Sequence, residues 1–386
     1  MADAPLTFVC LDPRKAKRAA IARTLAPLGA LSWRRLPPLG LRGYAESRHR
    51  ATAAQQTAKR IHTSTLGAAA KRWLLQLQYN GTRAFFAKRT DAVAVAWNGL
   101  NGSRRVFMDA ARDAGARTLY FELCPLPGRI TVDPCGVNFR NGLPRDAQAY
   151  ADWAKSRTAP ADWQDLRHHI QARPPATPTA ERTPELPLTD PFIFVPLQVQ
   201  GDSQLRLFGG AFRKVEAVIA AVAEAAKSLP DGWHVRIKEH PSSPVKFGDL
   251  IAASAHSKLV LDNATDTFAQ VAAARAVVTV NSSVGLEAMF YEKPVLALGD
   301  CFWAIPGVAH HCPSAAALGR VFADPAALAF DPELRGAFLQ FLTREYYPDL
   351  TRDGPDGALH PQEADKVRDR LSGPDRFGFW ACREAA

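Results

Sequence analysis

Val278 to Asp300, VTVNSSVGLEAMFYEKPVLALGD, reads as a strand, a small-residue turn, a helix and a second strand in 23 residues. In the turn, Asn281, Ser282, Ser283 and Gly285 offer free backbone N–H groups and two hydroxyls at a helix N-terminus, where the helix dipole also favours an anion. Glu287, one turn into the helix, is placed to accept hydrogen bonds from a ribose diol. Upstream, VRIKEHPSSP ends another apolar strand in Lys238, His240 and Pro241. Lys238 and His240 can donate to phosphate, and Pro241 stops the strand so that both are presented at its tip. Each cluster alone has an ordinary structural explanation, an N-cap or a loop. Together in one half of the chain they point to a nucleotide-sugar site.

Working outward, strand-like runs recur at Leu6 to Cys10, Ala92 to Trp97, Thr118 to Glu122, Phe192 to Leu197, His234 to Ile237, Lys258 to Leu261, Ala276 to Val280 and Pro294 to Leu298, with helical patterns between many of them. That alternation predicts parallel sheets wrapped by helices. Residues 157–191 hold Pro160, Pro174, Pro175, Pro178, Pro184, Pro187 and Pro191 without a strand pattern and read as an interdomain connection. The expected organisation is α/β, with two Rossmann-type doubly wound domains facing a central cleft. An N-terminal acceptor-side domain spans residues 1–158, a Pro-rich linker 159–191, a nucleotide-binding domain 192–345, and a tail packing across the domains 346–386. Ligands are expected at the carboxyl ends of the strands.

Composition narrows the function classes. The 386 residues are 47% apolar and 22% charged, enough for two buried cores. Even the most apolar helical run, Val215 to Ser228, is broken by Glu216, Glu224 and Lys227, so no membrane span is expected. The basic cluster Arg14, Lys15, Lys17 and Arg18 follows the first apolar run instead of preceding it, unlike a signal peptide, which predicts a cytoplasmic protein. Six scattered cysteines form no CxxC pair or zinc spacing and are expected to be reduced. There is no D-x-D triplet, and no metal is expected. The formal charge of +10 is concentrated in residues 1–90, where 17 lysines and arginines face three acids. Such an excess suits an anionic polymer or an anionic membrane surface, and equally suits solvated helices. Nucleic acid is not an expected partner, because no zinc finger, RNP-like motif or basic zipper is present.

Two further clusters carry carboxylates. VPLQVQGDSQ (Val195 to Gln204) runs from an apolar strand into Gln198, Gln200, Asp202 and Gln204. Asp202 is either a nucleophile or an Asx-turn residue. YFELCPLPGRITVDPCGVNF (Tyr120 to Phe139) ends a strand in Glu122, either a general acid/base or a strand-end ion-pair partner, while Asp133 shapes an Asp-Pro turn.

These segments resemble the capsule polysaccharide biosynthesis/export family, particularly its retaining β-Kdo glycosyltransferases. The resemblance rests on WNG with GSRRVF (Trp97 to Phe107), YFELCPLPGRITVDPCGVN, PLQVQGDSQ, KEHP and VNSSVGLEAMFYEKPVLALGD in that order, over roughly residues 90–305. It implies a GT-B-like fold and a CMP-Kdo donor bound as substrate, with no cofactor. Lys238, His240, Pro241, Asn281, Ser282, Ser283 and Gly285 would surround the phosphate, and Glu287 the ribose. Asn98, Gln198 and Gln204 would line the substrate site. The resemblance further implies that Asp202 attacks the anomeric carbon and that Glu122 serves the acceptor hydroxyl. Two inversions then give retention. The chain departs from the pattern at Leu123-Cys124, where Asn-Gly is expected, and at Gly201, where relatives carry a second acid.

The implied function is transfer of Kdo, or a related ulosonic acid, onto a glycolipid or growing surface polysaccharide, with peripheral association at the inner face of the plasma membrane. Two other functions use the same motif types: a CDP-alcohol phosphotransferase of teichoic-acid type, and a non-catalytic polysaccharide export or assembly protein. The tail RFGFWACR (Arg376 to Arg383) fits either a membrane interface or a domain seam.

Overall fold

The alternating apolar runs build two separate sheets. The computed structural model describes residues 6–59, 64–89, 91–156, 163–170, 183–254 and 258–371. These divide into two units, one of residues 6–124, 128–144 and 342–371, the other of 125–127 and 145–341. The first contains β1 (Leu6–Leu11), β2 (Gly29–Arg34), β3 (Ala92–Trp97), β4 (Arg117–Leu123) and β5 (Ile130–Asp133). Its sheet order is β2-β1-β3-β4-β5, parallel except for the antiparallel edge strand β5. The second contains β6 (Phe192–Pro196), β7 (His234–Lys238), β8 (Leu259–Leu261), β9 (Ala276–Thr279), β10 (Val295–Ala297) and β11 (His310–His311), all parallel, in the order β11-β10-β9-β6-β7-β8.

These orders decide where ligands can bind. In the first sheet the chain reverses direction between β1 and β3, and in the second between β6 and β9, giving the flavodoxin-like and dinucleotide-fold orders respectively. At such a switch point the two strand-end loops diverge to opposite faces and leave a crevice between them. The strands flanking it are AVAVAW in β3, FIFVP in β6 and AVVT in β9, buried along their whole length because helices cover both faces.

Packing follows the helical period. Val215, Val218, Ile219 and Val222 form one stripe of the helix Val215–Ala226 and meet Ile193, Val195, Val235, Ile237 and Val278 of the sheet. Burying each such side chain stabilises the unit by about 1.5–3 kcal/mol. In the first unit Phe8, Val93, Val95, Leu119 and Phe121 pack with Ile21 and Leu25 and with Val367 and Leu371 near the C-terminus.

The domain boundaries differ from those expected. Helix Ala147–Lys155 belongs to the second unit, because Tyr150 and Trp153 stack edge-on against Phe338 and Phe341 of helix Pro332–Phe341, at 5.1 and 5.3 Å. Trp163, inside the expected linker, packs on Phe290 at 5.8 Å. Beyond Leu342 the chain returns to the first unit, where Tyr346 donates its hydroxyl to buried Asp133 at 3.0 Å. Residues 171–182 and Arg376 to Arg383 lie outside the described residues. Cys10, Cys124, Cys301 and Cys312 are buried. Cys135 is disulfide-bonded, which corrects the expectation of six reduced thiols.

Candidate active site

In the second unit, β9, β6 and β7 are neighbours, so the turns that follow them lie side by side at the switch-point edge. Gln198, just past β6, donates its amide to Asn281 Oδ1 at 3.0 Å and accepts the Asn281 backbone N–H at 3.2 Å. Asn281 also donates to the carbonyls of Gln204 and Asp300, at 3.2 and 3.4 Å. This buried asparagine ties the Asn281–Gly285 turn to the Gln198–Gln204 loop, and both amides are occupied by that task.

Asp202 is the N-cap of the helix Ser203–Phe208, where its Oδ1 accepts the Gln204 N–H at 2.6 Å. Gly201 before it has φ of 81°, a backbone conformation that glycine supplies without strain. His240 is half-buried. Burial pushes its pKa down, and the nearby Asp202 carboxylate partly opposes that shift. Its Nδ1 accepts the Ser242 N–H at 3.1 Å, so the neutral ring carries its proton on Nε2. The imidazole thus offers its second nitrogen as a donor, and the Asp202 carboxylate acts on the ring through space.

Lys238 donates to the carbonyls of Asn263 and Thr265 at 2.6 and 2.7 Å, using two of its three N–H bonds to anchor that loop. Burial lowers its pKa, against Asp262 and Asp266. Glu239 between them is buried, accepting the Phe247 N–H at 2.5 Å and the Asn263 amide at 3.1 Å, and Pro241 opens the turn closed by Ser243 N–H to His240 O at 2.8 Å.

The Asn281–Gly285 turn corrects one expectation. Its N–H groups are not all free: Asn281 N–H is bound to Gln198, Ser282 N–H to Thr279 Oγ1 at 3.2 Å and Gly285 N–H to Ser282 O at 3.1 Å. Ser282 is the N-cap of the helix Ser283–Met289, accepting the Val284 N–H at 3.3 Å. What the turn presents is the Ser283 N–H and the two hydroxyls. A Cβ on Gly285 would stand 2.6 Å from the buried Trp303 ring and 2.9 Å from Thr279 Cγ2, so this glycine makes room for the indole. Glu287 is buried on the same helix.

In the first unit, Glu122 is the penultimate residue of β4, and its carboxylate is held by three donors. Trp97 Nε1 reaches Oε1 at 2.9 Å, Leu123 N–H reaches Oε1 at 3.0 Å and Asn98 Nδ2 reaches Oε2 at 2.8 Å. Asn98, at φ 66°, also accepts from Leu100 N–H at 3.2 Å and from Asn101 Nδ2 at 2.8 Å. Asn98, expected to touch substrate, therefore positions Glu122. Lys17 Nζ lies 4.5 Å over the Trp97 ring, and burial lowers its pKa against the pull of Glu122.

Lys17 and Asn263 were not among the expected site residues, and Trp97, which ends β3, was read only as part of the WNG segment. Asp133, expected to shape a turn, accepts from the N–H groups of Cys135, Gly136 and Gly142 at 2.7–2.9 Å and is fully buried. Among the described residues, no group of three or more His, Cys, Asp or Glu is placed to hold a metal ion, and no helix is long and apolar enough to cross a membrane.

Residues 166–320 match the family model for capsule polysaccharide biosynthesis protein, a span that contains the loops around Asp202, His240 and Ser282. Protein FixF of Sinorhizobium fredii (strain NBRC 101917 / NGR234) is 30% identical over 259 residues, 66% of this chain. The chain spans 60% of that relative's length. A solved structure of Thermosulfurimonas dismutans KpsC, beta Kdo 2,7 transferase, superposes with a TM-score of 0.52 at 15% identity, covering 94% of this chain and 99% of that one. The fold is thus GT-B-like, with two Rossmann-type units, and residues 166–320 are similar to the capsule polysaccharide biosynthesis family.

Proposed function

We propose that the protein is a retaining glycosyltransferase that moves Kdo, or a related ulosonic acid, from its CMP donor to a glycolipid or growing surface polysaccharide. The observation that carries this reading is the pair of hydrogen bonds between Gln198 and Asn281, which joins the loop bearing Asp202 to the serine turn at the switch point of the unit that contains the family match. In the first step Asp202 Oδ2 attacks the anomeric carbon as the bond to the CMP phosphate breaks, leaving a glycosyl ester and free CMP. The Nε2–H of His240, the remaining N–H of Lys238, the hydroxyls of Ser282 and Ser283 and the Ser283 N–H stabilise the departing phosphate. Glu287 takes the ribose. In the second step Glu122 removes the proton of an acceptor hydroxyl, whose oxygen attacks the same carbon and frees Asp202. Two inversions retain configuration.

The orientation of Glu122 by Trp97, Asn98 and Leu123 N–H supports its role, since a proton-transfer group works best when held in one geometry. No metal takes part in this scheme, and the protein acts at the inner face of the plasma membrane. The test is CMP release from CMP-Kdo with and without EDTA, compared with release from CDP-alcohols. Release from CMP-Kdo alone, unaffected by EDTA, is the expected result. Turnover of a CDP-alcohol that survives Asp202→Ala would replace this reading with the phosphotransferase.

A further inference from the structure

Nine large apolar side chains are exposed among the described residues, and six of them lie between Leu36 and Leu74 of the first unit. Leu36, Leu39, Leu41, Leu66 and Trp73 are 61–87% exposed, and Leu74 is 37% exposed. On the helix Thr65–Phe86, positions 66, 73, 74 and 77 fall within an arc of about 100°. The segment Pro38–Gly40 crosses that same stripe further along. Gly40 N–H donates to Leu77 O at 2.9 Å, and a Cβ on Gly81 would stand 2.3 Å from the Leu39 carbonyl carbon. The leucines of the loop and the outer helix residues therefore share one continuous face.

Charge identifies what covers it. From Arg34 to Arg72 the chain holds nine lysines and arginines and one acid, Glu46. A second copy meeting this face would set like charge against like charge, and a nucleic acid offers no apolar phase for five exposed leucines and a tryptophan. An anionic bilayer satisfies both features, with leucines and the indole entering the headgroup boundary and the cations meeting lipid phosphates. We infer that this face docks the protein on an anionic lipid surface. The inference is independent of the chemistry proposed above.

The test is co-sedimentation of the full chain with phosphatidylcholine vesicles, with and without about one third phosphatidylglycerol. The expected result is binding to the anionic vesicles that weakens as salt is raised. Leu41→Glu with Trp73→Glu should lower that affinity by at least about tenfold, because each side chain no longer leaves water. Arg35→Glu with Arg42→Glu should remove the preference for phosphatidylglycerol. All four sites lie on the surface, so thermal melting should be unchanged. Wild-type protein that ignores anionic vesicles, or Leu41/Trp73 variants that bind as well as wild type, would overturn the inference. Self-association that the Leu41/Trp73 variant abolishes, without vesicle binding, would assign the face to contact between copies.

Discussion

Replacing Gly285 by alanine separates two explanations of the serine turn. If the glycine is there for Trp303, a methyl group must fit 2.6 and 2.7 Å from two indole carbons and 2.9 Å from Thr279 Cγ2. Trp303 is buried and its ring is rigid, so relief requires moving the indole or the helix. Overpacking of this kind costs about 1–3 kcal/mol, against a gain of up to about 1 kcal/mol in helix propensity, for a net loss near 2 kcal/mol at the upper end. In a unit of about 200 residues that lowers the melting temperature by roughly 4–8 °C. Trp303→Leu, itself destabilising, should make the added methyl nearly neutral, and differential scanning calorimetry on the four proteins of the cycle measures the coupling. Gly285→Ala that melts like wild type yet no longer binds CMP would refute this reasoning and return the glycine to close ligand approach.

Asn98→Asp keeps the turn but faces Glu122 with a second carboxylate across 2.8 Å. It should lower kcat by about tenfold or more and move the acidic limb of the pH–rate profile upward. Arg236→Met leaves Asp262, fully buried and 3.0 Å from the guanidinium, without its cation, and should cost about 3–5 kcal/mol in urea denaturation. His240 has its pKa lowered by burial, so its contribution to stability is present above about pH 6.5, its unfolded value, and is lost as pH falls through the lower folded value. Melting temperature should therefore fall more steeply on acidification in wild type than in His240→Gln; parallel curves would contradict the burial of a neutral ring.

The central strands were legible because parallel sheets buried on both faces read as unbroken apolar runs, as in FIFVP and AVAVAW. Of the four edge strands only β8 was legible. β2 (GALSWR) is partly exposed, β11 has two residues, and β5 pairs antiparallel after a Pro-Gly loop, so none carries that pattern. The eight expected strands also left the sheet order open, and the switch points depend on that order. The domain boundary was misplaced because proline content marks where a helix or strand cannot run, whereas the division is set by aromatic contacts such as Tyr150 with Phe338, distant in sequence.

For the site, polar residues immediately after apolar strands were sufficient to find the loops. They did not reveal which members face a ligand and which hold the loops together. Asn98, Gln198 and Asn281 belong to the second group, since each amide is engaged by a partner from a neighbouring strand end. That distinction depends on contacts 24 and 83 residues apart in the chain, and no local pattern encodes them.

The most direct test of the central claim is intact-protein mass spectrometry after incubation with freshly generated CMP-Kdo, comparing wild type, Glu122→Gln and Asp202→Ala. The account predicts an added mass of one Kdo that accumulates in Glu122→Gln and is absent from Asp202→Ala. An adduct that persists in Asp202→Ala, or CMP release by that variant at the wild-type rate, would contradict it.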